Sequence, residues 1–533
     1  FKKKMKNKFI ILLMLVISAG FSSCDEGLEE VNINPNDPEV VPTANIFASA
    51  TKSFIDFNRN AFNSGRLTQN WVEYWGQTAY ADEDRYLYRE SSAQSIYQNT
   101  YLVASDLKSI IDLNTDEATM DDAAASGDND NQVAASRIML SYMFYELTNF
   151  FGDVPYYSYG SDNENFQALD VDEDLNPVFA PQEEIYADIL SELRQSADMI
   201  NVNSPVFTSG DNIFNGDAAK WKKFANSLIL RVANNLREVD PTTASNAINA
   251  AVQSGVMTSN DDNAVQSYET TDLNASPWWR AFIGRTDFAV TAPFIDLLKG
   301  ESGNFGLDPR LFEMAAPISA GIQEVQDGTY TPSDDPADYV GAPYAFRNMN
   351  ALPFSSYSFM SSKVLRPDYG EVLMEYAEVA FILSEENGFD QANYEEGVRA
   401  SMEKWGVADA DITAFVSALP AASEENVLNQ KYVALYMQPN TAYAMYRRTG
   451  YPNVLLLPGD TVTLPQNQID AQSPDNRIES YTFESGVNGV TDLPFRLRYP
   501  QILQTLNGEN RAAAASGLEN GDTILSQLFW DVD

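Results

Sequence analysis

The chain has 533 residues, of which 44% are hydrophobic and 12% aromatic, with a formal net charge of −42, no histidine and a single cysteine. This length exceeds the roughly 250–300 residues at which one core stops growing, and so acidic a chain argues against nucleic acid as a partner, because phosphate binding depends on Lys and Arg. Without histidine or a second cysteine the chain cannot build a Ser-His-Asp triad, a histidine metal site or an internal disulfide, and we predict no catalytic residue, no cofactor and no metal site.

The first element is a basic segment, an apolar run and then small residues. Residues 1–8 include five lysines, Phe9–Ile17 is unbroken in its apolar character, and small residues follow up to Cys24. Nine apolar residues are too few to span a bilayer, which needs about 20, and this order is typical of a secretory signal peptide. We predict a signal peptide over residues 1–23 that ends at the only cysteine, as in a bacterial lipoprotein, although Phe21 stands where leucine is usual. Lipidation of Cys24 is therefore expected; the alternative is an ordinary signal peptide with an unpaired thiol.

Residues 24–41 are acidic and rich in proline and asparagine, which predicts a polar tether. The acidic residues directly after Cys24 resemble the export signal of Bacteroidetes surface lipoproteins. No apolar run of 18 residues follows in the rest of the chain, so lipid would be the sole anchor to the outer membrane.

Apolar residues at helical spacing predict most of the remaining structure. The predicted helices cover residues 43–57, 67–76, 132–151, 182–200, 217–239, 243–252, 371–386, 391–405, 424–437 and 441–448. Glycine, proline, asparagine and aspartate cluster between about 256 and 370, which predicts irregular loops with short elements. We predict a mainly α fold: a helix-pair scaffold over about 42–255 and 371–450, a variable loop-rich lobe over about 256–370, and an irregular C-terminal segment over 451–533. No tetratricopeptide W-x2-L-G-x2-Y pattern is visible, so a true repeat is not shown.

Several strings resemble the SusD-like (RagB) family of outer-membrane nutrient-binding lipoproteins. They are Tyr376–Glu385 (YAEVAFILSE), Tyr394–Met402, Gln430–Tyr436, Arg447–Pro452, Arg496–Pro500 and Gly152–Tyr156. They occur in the family's order across nearly the whole chain. The resemblance implies tetratricopeptide-like helix pairs that cradle a variable lobe, a SusC-like TonB-dependent transporter as partner, and capture of glycans or peptides without catalysis.

Three arginines in these strings are expected to brace the scaffold rather than contact a ligand. We predict that Arg447, Arg448 and Arg498 are buried and pair with carboxylates such as Glu378 or Glu385.

Two groups of residues are candidates for ligand contact. The first consists of Trp71, Tyr74, Trp75, Tyr80, Asp82 and Arg85, and the second of Trp278, Trp279 and Arg280. Tryptophan and tyrosine combine an apolar plate with a polar group, which suits the C–H faces and hydroxyls of sugars. The family places ligand contacts near the start of the fold and in the variable lobe, which favours both groups. Burial is the competing interpretation: the i,i+4 spacing of Trp71 and Trp75 is also that of a core stripe.

The ligand class stays open between two main alternatives. We predict an oligosaccharide; a peptide is the alternative, and in that case Asp82 and Arg85 would matter more than the tryptophans. A glycosidase acting through two carboxylates is a remote alternative, because 76 Asp and Glu residues make pairs unavoidable and no motif selects one. Asp170-x-Asp172-x-Asp174 begins like a calcium loop, but Leu175 replaces the required glycine, so a solvated acidic loop is expected.

Overall fold

Long helices packed side by side form the first half of the computed structural model, which describes residues 41–170 and 175–532. The helices are α1 (Thr43–Asn58), α2 (Thr68–Trp71), α3 (Glu90–Thr115), α4 (Met120–Ala123), α5 (Asn129–Phe151), α6 (Gln182–Met199), α7 (Ala218–Asn235) and α8 (Pro241–Ser254). Along this series α1 packs on α3, α3 on α5, α5 on α6, α6 on α7 and α7 on α8. The side chains of Asp128, Asp217 and Asp240 accept hydrogen bonds from first-turn backbone N–H groups of α5, α7 and α8, so these starts are encoded locally.

A lobe of short elements follows α8. With β1 (Trp75–Gln77) from the first half, it contains β2 (Ala264–Gln266), α9 (Pro277–Ala281), β3 (Phe288–Val290), α10 (Ala292–Lys299), α11 (Leu311–Met314), α12 (Ile322–Gln326) and β4 (Glu371–Met374). β1 pairs antiparallel with β3, and β2 pairs antiparallel with β4. Because β1 belongs to the amino-terminal half, hydrogen bonds join the lobe directly to the scaffold.

A second block of helices follows β4 and packs back on the first. Its helices are α13 (Tyr376–Glu386), α14 (Gln391–Trp405), α15 (Asp409–Ser417), α16 (Glu424–Ala434) and α17 (Pro439–Thr449). α13 contacts α14, α16 and α7. The C-terminal segment holds β5 (Thr461–Thr463), α18 (Gln466–Ala471), β6 (Ser480–Thr482), α19 (Leu503–Leu506) and α20 (Gly508–Ser516), with β5 and β6 paired antiparallel. Thr43–Asp533 form one compact unit, within which the boundaries of scaffold, lobe and C-terminal segment stay predictions.

The predicted fold class is confirmed, since helices dominate and the strands are few and short. α14 has the predicted bounds, whereas the helix predicted over 67–76 ends at Trp71, because the chain turns at Glu73 with φ of +57° and then pairs as β1. The helix predicted from residue 371 begins at Tyr376, after β4. Among the described residues, no helix combines the length and apolar character that crossing a membrane requires. The predictions for residues 1–23, Cys24 and nearly all of 24–41 lie outside the described residues.

Buried ion pairs brace the second helical block and join it to the first. Glu385 of α13 accepts hydrogen bonds from Lys431 Nζ at 2.6 Å and from an Arg448 Nη at 2.5 Å. Arg231 of α7 donates to both carboxylate oxygens of Glu378, at 2.7 and 2.6 Å. The predicted pairing of Arg448 with Glu385 is confirmed.

The other two arginines pair with carboxylates that the sequence did not suggest. Arg447 is buried against Asp531 near the C-terminus, and Arg498 is exposed and pairs with Glu90 at the start of α3. Both arginines therefore pair with carboxylates as predicted, but not with Glu378 or Glu385, which already have buried cationic partners. The predicted burial is wrong for Arg498, which is exposed.

Candidate functional site

Two loops leave the same end of the sheet formed by β1 and β3. Trp75 lies opposite Val290 and Gln77 opposite Phe288, so the loop after β1 (78–89) and the segment before β3 (277–287) emerge together. The Thr78 N–H donates to the backbone oxygen of Asp287 at 2.9 Å. These two segments, called the paired loops below, bring both groups of sequence-predicted ligand residues to one end of the sheet.

Four of the predicted ligand residues are buried in the core, at the base of the paired loops. Trp71, Tyr74, Trp75 and Trp278 are each at most 1% exposed. The Trp75 indole N–H donates to the Tyr436 hydroxyl at 2.8 Å, and its ring meets that of Trp278 edge-on with centroids 4.7 Å apart. The prediction that these four side chains contact a ligand is corrected: packing excludes a ligand from them, and they form the aromatic base of the loops.

Tyr80 is the exposed aromatic side chain of the first loop. Its side chain is 74% exposed, and its backbone has φ of +57°, a left-handed conformation that costs an L-residue on the order of 1 kcal/mol. Such strained positions concentrate at ligand sites. The Asp82 N–H donates to the Tyr80 carbonyl oxygen at 2.6 Å, and Arg285 lies on the second of the paired loops. The fold therefore presents the Tyr80 ring to solvent and fixes its backbone.

Asp82 and Arg85 form an ion pair on the same loop. An Arg85 Nη donates to Asp82 Oδ1 at 2.5 Å, and Arg85 Nε donates to the Ala81 carbonyl oxygen at 3.1 Å. The Asp82 side chain is 63% exposed, whereas that of Arg85 is 12% exposed. Asp82 thus offers an accessible acceptor, while Arg85 is mostly buried and uses two of its N–H groups within the loop.

The structure adds charged residues that sequence reasoning missed. Arg285 donates through Nε and Nη2 to Asp287 at 2.8 and 3.0 Å, and more than half of its side chain is exposed. Arg89 is similarly exposed and contacts Glu83 through Nε at 3.1 Å. The signal that could have revealed the first pair is its opposite charges two residues apart, shortly after the Trp278–Trp279 pair.

The second segment places Trp279 and Arg280 at the border between core and surface. Both are partly buried, so Trp279 differs from its fully buried neighbour. Arg280 donates to the carbonyl oxygens of Leu273 at 2.7 Å and Asp272 at 3.3 Å. The side chains of Leu273 and Ile283 are exposed beside it. Trp279 is consequently available for partial contact, and Arg280 braces the segment.

A buried carboxylate anchors the first loop from below. Asp84 accepts hydrogen bonds from the Gln77 N–H at 3.2 Å and from the Asn70 side-chain amide, which in turn accepts one from the Tyr344 hydroxyl. Burial raises the pKa of Asp84 to about 7, and the hydrogen bonds from Asn70 and Gln77 only partly oppose this. The loop is therefore attached to β1, α2 and the lobe through one side chain.

The described residues contain no cluster of three or more Asp, Glu, His or Cys side chains suited to hold a metal ion. Residues 171–174 of the acidic loop considered for calcium lie outside the described residues. The paired loops present to solvent the aromatic ring of Tyr80, the carboxylate of Asp82 and the guanidinium groups of Arg89 and Arg285. This combination suits the recognition of a ligand with flat apolar faces and many hydrogen-bonding groups.

The helix-pair scaffold with its loop-rich lobe defines the SusD-like class of fold. The chain belongs to the SusD-like family described as "Starch-binding associating with outer membrane", whose profile matches residues 35–475. No curated protein matches this chain.

Solved structures share the fold over nearly the whole chain. One named a chitin-binding protein is 23% identical with a TM-score of 0.70, covering 92% of this chain and 100% of its own. A Bacteroidetes SusD-like structure is 20% identical with a TM-score of 0.69, covering 93% and 100%. A chitin-binding SusD homologue from Flavobacterium johnsoniae is 19% identical with a TM-score of 0.67, covering 92% and 99%. At these identities the likeness establishes the fold alone.

Proposed function

We propose that this protein is a cell-surface lipoprotein that captures a glycan at the paired loops and delivers it to a SusC-like TonB-dependent transporter of the outer membrane. The observation that carries the proposal is the exposed Tyr80 ring, held in a strained backbone conformation on the same loop as Asp82, with the loop that carries Arg285 paired alongside. A sugar ring can stack its C–H face on such a plate while its hydroxyls bond to the flanking charged groups. The family's starch-binding description and the chitin-binding names of two neighbours support a glycan.

A peptide ligand is the second candidate, and the first loop argues against it. Peptide recognition was expected to depend on Asp82 and Arg85. Arg85 is mostly buried and donates to Asp82 and to a backbone carbonyl, so little of its side chain is accessible to a carboxylate of a ligand. The charged groups that remain accessible, Asp82, Arg89 and Arg285, also suit sugar hydroxyls.

Calorimetry with chito- and malto-oligosaccharides tests the glycan proposal. Tyr80→Ala and Trp279→Ala should each weaken binding about tenfold, the equivalent of about 1.4 kcal/mol, because each removes a contact plate. The matched control is Phe354→Ala, which removes an exposed ring from another loop of the lobe and should leave affinity unchanged. Peptide mixtures that bind while every glycan fails, or glycan binding unchanged in both variants, would contradict the proposal.

Binding without turnover is part of the proposal. Incubation of each bound oligosaccharide with the protein should leave its chain length unchanged in chromatography. Shortened products, abolished by removal of a carboxylate such as Asp82, would instead support the glycosidase alternative.

The anchor and the partner have separate tests. Metabolic labelling with palmitate should mark the protein and fail in Cys24→Ser, because the thiol is the proposed acylation site and stable anchoring requires acyl chains. Purification of the labelled protein in mild detergent should recover a TonB-dependent barrel. A protein that is unlabelled, or that leaves the membrane with salt alone, would contradict the lipoprotein assignment.

A further inference from the structure

A cavity far from the paired loops in sequence lies between α15 and the lobe. Its volume is about 620 Å³, within the range of about 300–1,000 Å³ that is typical of small-molecule sites. One wall is the outward face of α15, and the other is the chain between α10 and α11, around Phe305 and Leu307. None of the residues proposed for glycan contact lines it, so the proposed function leaves this cavity unexplained.

The walls of the cavity are mostly apolar, and the cavity is open because small residues face large ones across it. The rings of Phe305 and Phe415 meet edge-on with centroids 6.4 Å apart, and Leu307 is 40% exposed at the opening. Ala414 and Ala418, one helical turn apart on and just after α15, also line the cavity. Their methyl groups leave open space that larger side chains would fill. The cavity therefore follows from residue size and exposes apolar surface that a ligand could cover.

The charged groups at the cavity all have one sign. Asp334 from the lobe and Asp411 from α15 line it, and no lysine or arginine is among the described residues that do. Both residues are exposed, and neither carboxylate makes a hydrogen bond or an ion pair through its side chain within residues 41–170 and 175–532. Two unpaired carboxylates beside low-dielectric walls produce a negative potential that attracts cations and repels anions.

We propose that this cavity is a second binding site, which takes a small organic ammonium ion with an apolar ring. The ring would pack against Phe305, Leu307 and Phe415, where aromatic faces also attract a cation. The ammonium group would reach Asp334 and Asp411. A neutral or anionic molecule of the same shape lacks this complementarity, so charge determines selectivity and the apolar walls determine size.

A matched series of probes tests the charge selectivity on the full chain in solution. Phenethylamine, 2-phenylethanol and 3-phenylpropionate share a ring and differ mainly in charge. Calorimetry should give phenethylamine up to about tenfold higher affinity than the alcohol, with the acid weaker still. Affinity for phenethylamine should fall as ionic strength rises, because salt screens the exposed carboxylates. Equal affinity for the three probes, or no binding of the amine at about 1 mM, would overturn the proposal.

Substitutions at exposed positions assign the binding to this cavity. The double variant Asp334→Asn, Asp411→Asn should weaken phenethylamine binding about tenfold, and Ala418→Trp should abolish it by filling the space. The matched control is Asp409→Asn, which removes an exposed carboxylate from the start of α15 but not from the cavity lining. An effect of Asp409→Asn equal to that of the double variant, or loss of amine binding in Tyr80→Ala, would overturn the assignment. Glycan binding should persist in the double variant, which separates this site from the paired loops.

Discussion

Removal of the charge from Glu385 should destabilise the scaffold more than any surface substitution. Glu385 of α13 is buried and pairs with Lys431 of α16 and Arg448 of α17. Burial by itself would raise its pKa, but the charges of Arg448 and Lys431 outweigh burial and lower the pKa from 4.5 to about 2. The perturbation is Glu385→Gln, which keeps the shape of the side chain and removes its charge.

Two routes give the magnitude of this effect. The difference between 4.5 and about 2 corresponds to about 3 kcal/mol of favourable interaction with the ionised Glu385. Removing one partner of a buried ion pair leaves an uncompensated charge and typically costs about 3–5 kcal/mol. Here Lys431 and Arg448 would both lose their carboxylate. We therefore expect Glu385→Gln to lower the free energy of unfolding by about 3–5 kcal/mol at pH 7.

Urea denaturation followed by circular dichroism measures this difference. The control is Glu386→Gln, next in the chain, whose ion pair with Arg237 lies nearer the surface and should contribute about 1 kcal/mol or less. Because the pKa of Glu385 is depressed on folding, its contribution is complete above about pH 4.5 and is lost as the pH falls toward about 2. The wild type should lose stability over that range more steeply than Glu385→Gln. A loss under about 1 kcal/mol at pH 7, equal to that of the control, would refute the reasoning.

Three further substitutions test the packing and the loop anchor. Gly397→Ala should cost about 1–3 kcal/mol in urea denaturation, because a Cβ there would lie 2.8 Å from the Phe381 ring; an unchanged midpoint would contradict this close packing of α14 on α13. Trp75→Phe should cost about 2 kcal/mol, because it removes the hydrogen bond to Tyr436 and leaves a gap, and a neutral effect would show that the aromatic base adapts. The stability of Asp84→Asn relative to wild type should increase between pH 4 and 8, by up to about 4 kcal/mol. The raised pKa of Asp84 means that ionisation of the wild-type carboxyl opposes folding as the pH rises toward 7. A stability difference independent of pH would contradict this expectation.

Local patterns predicted most of the long helices but missed α3 and α15. α14 was predicted at its observed bounds because its apolar residues recur at helical spacing. α3, the 26-residue helix Glu90–Thr115, is absent from the prediction although Ile96, Val103, Leu107 and Ile111 form an apolar stripe on its buried face. Polar residues such as Asn99 and Thr100 are buried on the same face, and their burial depends on the neighbours α1 and α5.

The candidate site shows the same limit for tertiary contacts. The spacing of Trp71 and Trp75 allowed both a core stripe and a ligand face. The choice depended on Tyr436, about 360 positions away, which bonds to the Trp75 indole. Adjacent Trp278 and Trp279 could not share a helical face, and the structure does separate them into core and border. Adjacency in the sequence therefore sends the two rings in different directions, while packing against Trp75 determines that Trp278 is the buried one.

For glycan capture at the paired loops as proposed above, the division of aromatic residues between the base and the surface would favour affinity. A mobile Tyr80 would lose conformational freedom on every capture, and that entropy would reduce affinity. Here Trp75 and Trp278 pack beneath the paired loops, Asp84 anchors the first loop from below, and a backbone hydrogen bond fixes Tyr80 itself. The rings that cannot touch a ligand thus reduce the ordering cost for the one that can. On this reasoning Trp75→Phe should weaken glycan binding as well as stability, although Trp75 lies out of reach of the ligand.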